Sequence, residues 1–126
     1  MKTTRDLINY VRSHLVAQDE RCANEHGNCL YKCGTKSCAI GCLIDDDLYS
    51  KDFEGSSVMH CNVQMAINVT HRIALSDDQL RVLRKLQFIH DERDPKHWST
   101  FIAQYVSDLE PSVLDEELMP AKYITV

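Results

Sequence analysis

Apolar residues at helical spacing, punctuated by capping signals, constrain this chain most. After Asp94-Pro95, the residues Trp98, Phe101, Ile102, Tyr105, Val106 and Leu109 recur every three or four positions, which places them along one side of an α-helix. Asp94 supplies a cap, and Pro95, with no amide hydrogen to lose, suits the first helical position. Upstream, Ser76-Asp77-Asp78-Gln79 has the form of a capping box: a serine hydroxyl takes the amide three residues on, and the glutamine side chain returns to the serine amide. The helix it opens runs to about His90, with Leu80, Leu83, Leu86 and Ile89 on its apolar side. Leu7, Val11 and Leu15, flanked by Ile8 and Val16, predict a first helix over 4–18 with Thr4 as its cap. Ser57 is placed to cap another over 58–68, and the β-branched stretch 69–75 reads as an extended connector or short strand. Pro111 ends the 95–109 helix, a short helix over 112–118 follows, and 119–126 forms a tail. The fold class expected is therefore mainly α, a single compact domain, residues 1–126, of four to five helices.

Between the first and second helices lies the chemically loaded stretch, CLYKCGTKSCAIGCLIDDD at 29–47. It holds four of the six cysteines and two of the four glycines. Residues 29–37 suggest a small hairpin or irregular knuckle, because Gly34 supplies a turn between short polar flanks. Residues 38–44 are nearly all apolar and predict a short buried helix capped by Ser37 and surrounded by the helices at 4–18, 77–90 and 95–109. Gly41 has no side chain, so another backbone has room to approach there.

Three readings of these cysteines are open. Cys29, Cys33, Cys38 and Cys42 follow C-x3-C-x4-C-x3-C, and four thiolates can hold a structural zinc in a tetrahedron, although neither pair has the C-x2-C spacing usual for zinc knuckles. The plainer reading is that they are core, since free cysteine behaves as a small hydrophobe. The third makes Cys38, at a helix start that lowers a thiol pKa, the nucleophile of a cysteine-dependent hydrolase or transferase, with His90 as base and Asp91 orienting it. Cys22 stands outside the cluster as a lone thiol or a substitute ligand. The aspartates 45–47 lack the alternation of a calcium loop and read as a solvated turn.

The run CAIGCLIDDDLY, followed by LQFIHD at 86–91 and by Trp98, resembles a group of small uncharacterised proteins of tailed bacteriophages and their bacterial hosts. Their pattern is a cysteine and a tyrosine, a short glycine-containing turn, C-A-I/V-G-C-L-I-P-D-E-x-Y, and later L-Q-x-x-H-D before an aromatic helix. The resemblance covers residues 29–106 and carries over Cys29, Tyr31, Cys38, Gly41, Cys42, Tyr49, His90 and Asp91. Asp45 stands where the pattern has proline, and Cys33 where many relatives have glycine. It implies a phage accessory protein that acts in the host cytoplasm by binding a host protein or small ligand, an inhibitor of host defence being one example. It implies no established activity.

Charge and hydropathy narrow the partners. A net charge of -5 disfavours general binding to nucleic acid, which needs a basic face, and Arg81, Arg84 and Lys85 form only a local basic group. No apolar run approaches the length of a membrane span. The polar start MKTTRDLINYVRSHL is unlike a secretory leader, so the cysteines are expected as free or metal-bound thiols in a reducing cytoplasm.

Overall fold

A computed structural model describes residues 1–121. Five α-helices carry the fold: α1 Thr4–Gln18, α2 Cys61–His71, α3 Asp77–Glu92, α4 Trp98–Asp108 and α5 Pro111–Leu114. The fold is mainly α, as the spacing predicts. Two antiparallel pairs of two-residue strands accompany them: β1 Lys32–Cys33 with β2 Lys36–Ser37, and β3 Ile73–Ala74 with β4 Met119–Pro120. Residues 119–120 of the expected tail thus form a strand, and 122–126 lie outside the described residues. No helix among the described residues is long and apolar enough to cross a membrane.

The core forms where α1, α3 and α4 pack on one another. Leu7, Val11 and Leu15 of α1, Leu83 and Leu86 of α3, and Ile102 of α4 are completely shielded from solvent. Burying each such side chain is worth about 1.5–3 kcal/mol, and the helices exist mainly because they bury these stripes together. The caps sharpen their ends. Ser76 and Gln79 form the expected box. On α1 the cap is Thr3 rather than Thr4, because Asp6 then falls at the third helical position and closes a box of its own. Thr4 is instead buried, accepting a bond from Gln79 Nε2 at 3.2 Å.

The returning C-terminal segment seals this corner. Thr4 N–H donates to the Glu116 carbonyl at 2.9 Å and Leu118 N–H to the Lys2 carbonyl at 2.8 Å.

The 38–44 segment differs from its expectation. It is not an α-helix but a turn followed by a single 3-10 turn at Gly41–Leu43. One α-type bond forms, from the Cys42 amide to the Cys38 carbonyl at 3.1 Å; before it, Gly41 N–H donates to Cys38 Sγ at 3.2 Å and Ile40 N–H to Gln87 Oε1 at 3.1 Å. The turn packs on α1 and α2, and reaches α3 through Gln87. Gly41 is required here. A Cβ at this position would fall well inside van der Waals contact with the Tyr31 carbonyl, so the hairpin and the turn meet backbone to backbone. The second helix also starts later than Ser57 predicts, at Cys61, because the His60 ring takes the Asn62 amide and acts as the cap.

Candidate functional site

The C-terminal half of α3 gathers the polar chemistry. Gln87 and Asp91 are one helical turn apart and therefore share a face; Gln87 Nε2 donates to Asp91 Oδ1 at 2.8 Å. His90 is fully buried in the core, with its ring stacked 5.1 Å from that of Trp98. Its two nitrogens are both committed. The backbone N–H of Cys22 can only donate, so Nε2, 3.1 Å away, is the acceptor and the ring proton sits on Nδ1. Nδ1 then donates to Asp91 Oδ1 at 2.8 Å. Arg21 fastens the same helix end by donating from Nε to the His90 carbonyl at 3.0 Å.

Cys29 completes the group. Burial pushes its thiol up to about 11, and the neighbouring Asp91 charge and hydrogen bond push the same way. Burial alone would raise Asp91, but bonds from His90, Gln87 and Cys29 prevail and hold its carboxyl below the usual range. The arrangement is a protonated thiol, a helix amide and an imidazole converging on one carboxylate. Cys29 Sγ, a His90 ring nitrogen and an Asp91 carboxylate oxygen lie within 4.8 Å of one another, the one such trio of metal-type donors among the described residues.

These side chains have a structural duty as well. Residues 20–44 contain little regular structure, and their amides need partners. Cys22 N–H finds His90, Ile40 N–H finds Gln87, and Ser37 N–H finds Gln18 of α1 at 2.9 Å. Tyr31 N–H finds Glu54 Oε1 at 2.6 Å. The polar residues of LQFIHD thus dock the cysteine-bearing segment onto α3.

Between that segment, the loop at 54–58 and α3 lies a cavity of about 380 Å³. Leu30, Ile40, Val58 and Phe88 give it an apolar body, and Cys29, Glu54, Gln87, Asp91 and Arg84 give it polar points. Glu54 is held by the Tyr31 amide and by the Tyr49 hydroxyl at 3.0 Å. Arg84 is exposed and makes no ion pair among the described residues.

Of the residues the sequence singles out, His90 and Asp91 meet, and Cys29 joins them. Cys38 does not. It is completely buried, burial pushes its thiol far up, and its sulfur accepts from the Gly41 amide; both His90 nitrogens are occupied elsewhere. The four-cysteine arrangement of Cys29, Cys33, Cys38 and Cys42 is not formed. Cys29 faces α3, Cys33 Sγ donates to the Ala23 carbonyl at 3.5 Å, and Cys42 Sγ to the Ala39 carbonyl at 3.1 Å. Cys22 is a buried thiol directed at the Lys36 carbonyl at 3.6 Å, pushed up to about 12 chiefly by burial. Asp45, Asp46 and Asp47 are an exposed turn; Asp46 pairs with Lys32 at 2.7 Å. Sequence reasoning missed Gln87 and Glu54. The former carried a signal, since Gln and Asp one helical turn apart in LQFIHD share a helix face. The latter carried none.

No family model matches the chain, and it matches no curated protein and no solved structure.

Proposed function

We propose that this chain is a non-enzymatic binding protein, a phage-type accessory protein as its motifs suggest, and that it takes a small ligand into the cavity beside α3. The observation that carries this reading is the lining itself. A cavity of about 380 Å³ with an apolar body and a few convergent polar groups is of the size and character that small-molecule sites have. The unpaired Arg84 favours a ligand bearing an anionic group, while Asp91 and Glu54 favour a hydrogen-bond donor at another point on it. The test is a thermal-shift screen with small carboxylates, phosphates and amino acids. A compound that raises the melting temperature of the protein, but not of Arg84→Met or Ser56→Trp, supports the reading. Failure of every class, or hits indifferent to both substitutions, removes it.

Zinc is a second reading, and the trio of Cys29, His90 and Asp91 favours it over the four cysteines. Sulfur, imidazole and carboxylate are all zinc ligands. Binding at Nδ1 requires the ring proton to leave, and Nε2 then faces the Cys22 amide with no proton of its own unless that bond opens. About one zinc per chain by elemental analysis, lost in Cys29→Ser, supports it; zinc-free protein with full affinity for the cavity ligand removes it.

The hydrolase reading has no such observation behind it. Its test is alkylation: rapid modification of Cys38 in the native protein would restore it. The cavity reading expects the exposed Cys61 to react first and Cys38 only after unfolding.

A further inference from the structure

From the cavity's edge at Phe88 outward, α3 and α4 present three aromatic rings to solvent or near it. Phe88 is 45% exposed and Phe101 38%, with the part-buried Tyr105 beside them. Two cations are laid across these rings. The Arg93 guanidinium lies 5.6 Å from the Phe88 centroid and 4.9 Å from that of Phe101. Lys85 Nζ lies 5.1 Å from Phe88 and 6.0 Å from Tyr105. Rings and cations therefore alternate in one strip. Among the described residues neither cation makes an ion pair, and of the nearby acids Asp94 caps the Lys96 amide.

A cation resting on a ring is held in place while its outward donors remain free. Arginine and aromatic residues grouped in this way are also the residue types that dominate protein–protein hot spots. The sign of the strip is opposite to that of the chain, whose net charge is -5, so it marks a partner of negative charge rather than a general feature of the surface. Single-stranded nucleic acid is the weaker match. It binds by stacking bases on ring faces, and here the faces already carry Arg93 and Lys85.

From this we infer that the Lys85–Phe88–Arg93–Phe101–Tyr105 strip is a docking surface for an acidic protein segment whose carboxylates alternate with apolar side chains. The carboxylates pair with Lys85 and Arg93, and the apolar residues cover the exposed ring edges. The inference adds a protein partner to the small-ligand reading and stands on different residues, Phe88 alone being shared.

The experiment is an NMR and fluorescence-anisotropy titration of the whole protein with a labelled peptide repeating Asp-Leu-Glu-Phe. A lysine-for-acid version of the peptide and oligothymidylate serve as comparators. The expected result is salt-sensitive binding with shift changes centred on Phe88, Phe101 and Tyr105. Lys85→Glu combined with Arg93→Glu weakens it roughly tenfold, since each exposed pair contributes a modest share. Lys85→Glu alone gives a smaller loss and stands in if the double variant loses its circular-dichroism signal. Neither variant alters the affinity of a ligand bound through Arg84, which separates this outcome from that of the cavity. No binding, shift changes elsewhere, indifference to charge reversal, or equal binding of oligothymidylate overturns the inference.

Discussion

The helical half of the molecule and the segment at 20–60 are held by different physics. In α1, α3 and α4 the backbone satisfies itself, and stability comes from apolar stripes buried against one another. Between residues 20 and 60 the regular units are the β1–β2 hairpin and single 3-10 turns at Gly41–Leu43 and Lys51–Phe53, and amide after amide is taken by a side chain: Cys22 by His90, Tyr31 by Glu54, Ser37 by Gln18, Ile40 by Gln87, Asp45 by Thr70. The first region depends on area, which many residues share. The second depends on individual bonds, each with one owner. The same apolar residues that bury 38–44 do not make it an α-helix: after one α-type bond from the Cys42 amide to the Cys38 carbonyl the segment tightens into a 3-10 turn, with Leu43 bonded to Ile40 and Ile44 to Gly41.

Trp98→Ala should produce the largest loss, about 3–5 kcal/mol as for other large aromatic truncations. Trp98 bears on both regions, being core to α4 and the stacking partner of the His90 ring that takes the Cys22 amide. Urea unfolding followed by far-UV circular dichroism should fall in one step; loss confined to the 20–60 amides would break the comparison. Gly41→Ala comes next, at roughly 1–3 kcal/mol for forced overpacking. Its new methyl meets the Tyr31 backbone, and the two segments must separate to admit it. A variant as stable as the parent would show that the turn and hairpin are not locked.

Gln87→Leu sharpens the contrast further. It leaves the Ile40 amide and one Asp91 bond unanswered, a cost of about 1–2 kcal/mol. Hydrogen exchange should quicken at Ile40 while α4 amides keep their protection. Uniform quickening would mean that the segment and the helices open as one unit. The smallest effect is that of pH. Asp91 is held below the ordinary carboxylate range in the folded state, so folding releases a proton from it when the medium is acid. Its contribution is complete above about pH 4 and drains away as the pH falls toward the folded value. Asp91→Asn lowers stability at neutral pH and removes this part of the acid dependence. Parallel stability curves for the two proteins would contradict the bonding described for the carboxylate.

Much of the helical region was legible in the sequence, because spacing and caps are local. Ser76 with Gln79, and Asp94 with Pro95, sit where the structure uses them. The errors there are at the ends: Thr3 caps α1 in place of Thr4, His60 caps α2 three residues after Ser57, a 3-10 turn at Pro95–His97 precedes α4, and the expected helix over 112–118 is Pro111–Leu114. The candidate site was half legible. His90 next to Asp91 was visible, but a histidine's partner depends on which nitrogen faces what, and Cys22 supplies that answer from across the fold. Cys29 gave no sign of preferring α3 over its neighbouring cysteines, since both choices satisfy the same residue type. Nor could the run 38–44 reveal that Gln87 would claim its amide.

The contact between the start of α1 and residues 116–118 sets an order of events during synthesis. The first helix leaves the ribosome with its opening amide and its buried threonine awaiting Glu116, long before that residue is made. The apolar stripe of α1 can be covered once α3 and α4 are made, but the opening end of the helix stays unsealed until residues 116–118 follow them. That corner closes only when the stretch at 116–118 arrives, which gives chaperones a defined interval in which to hold the chain.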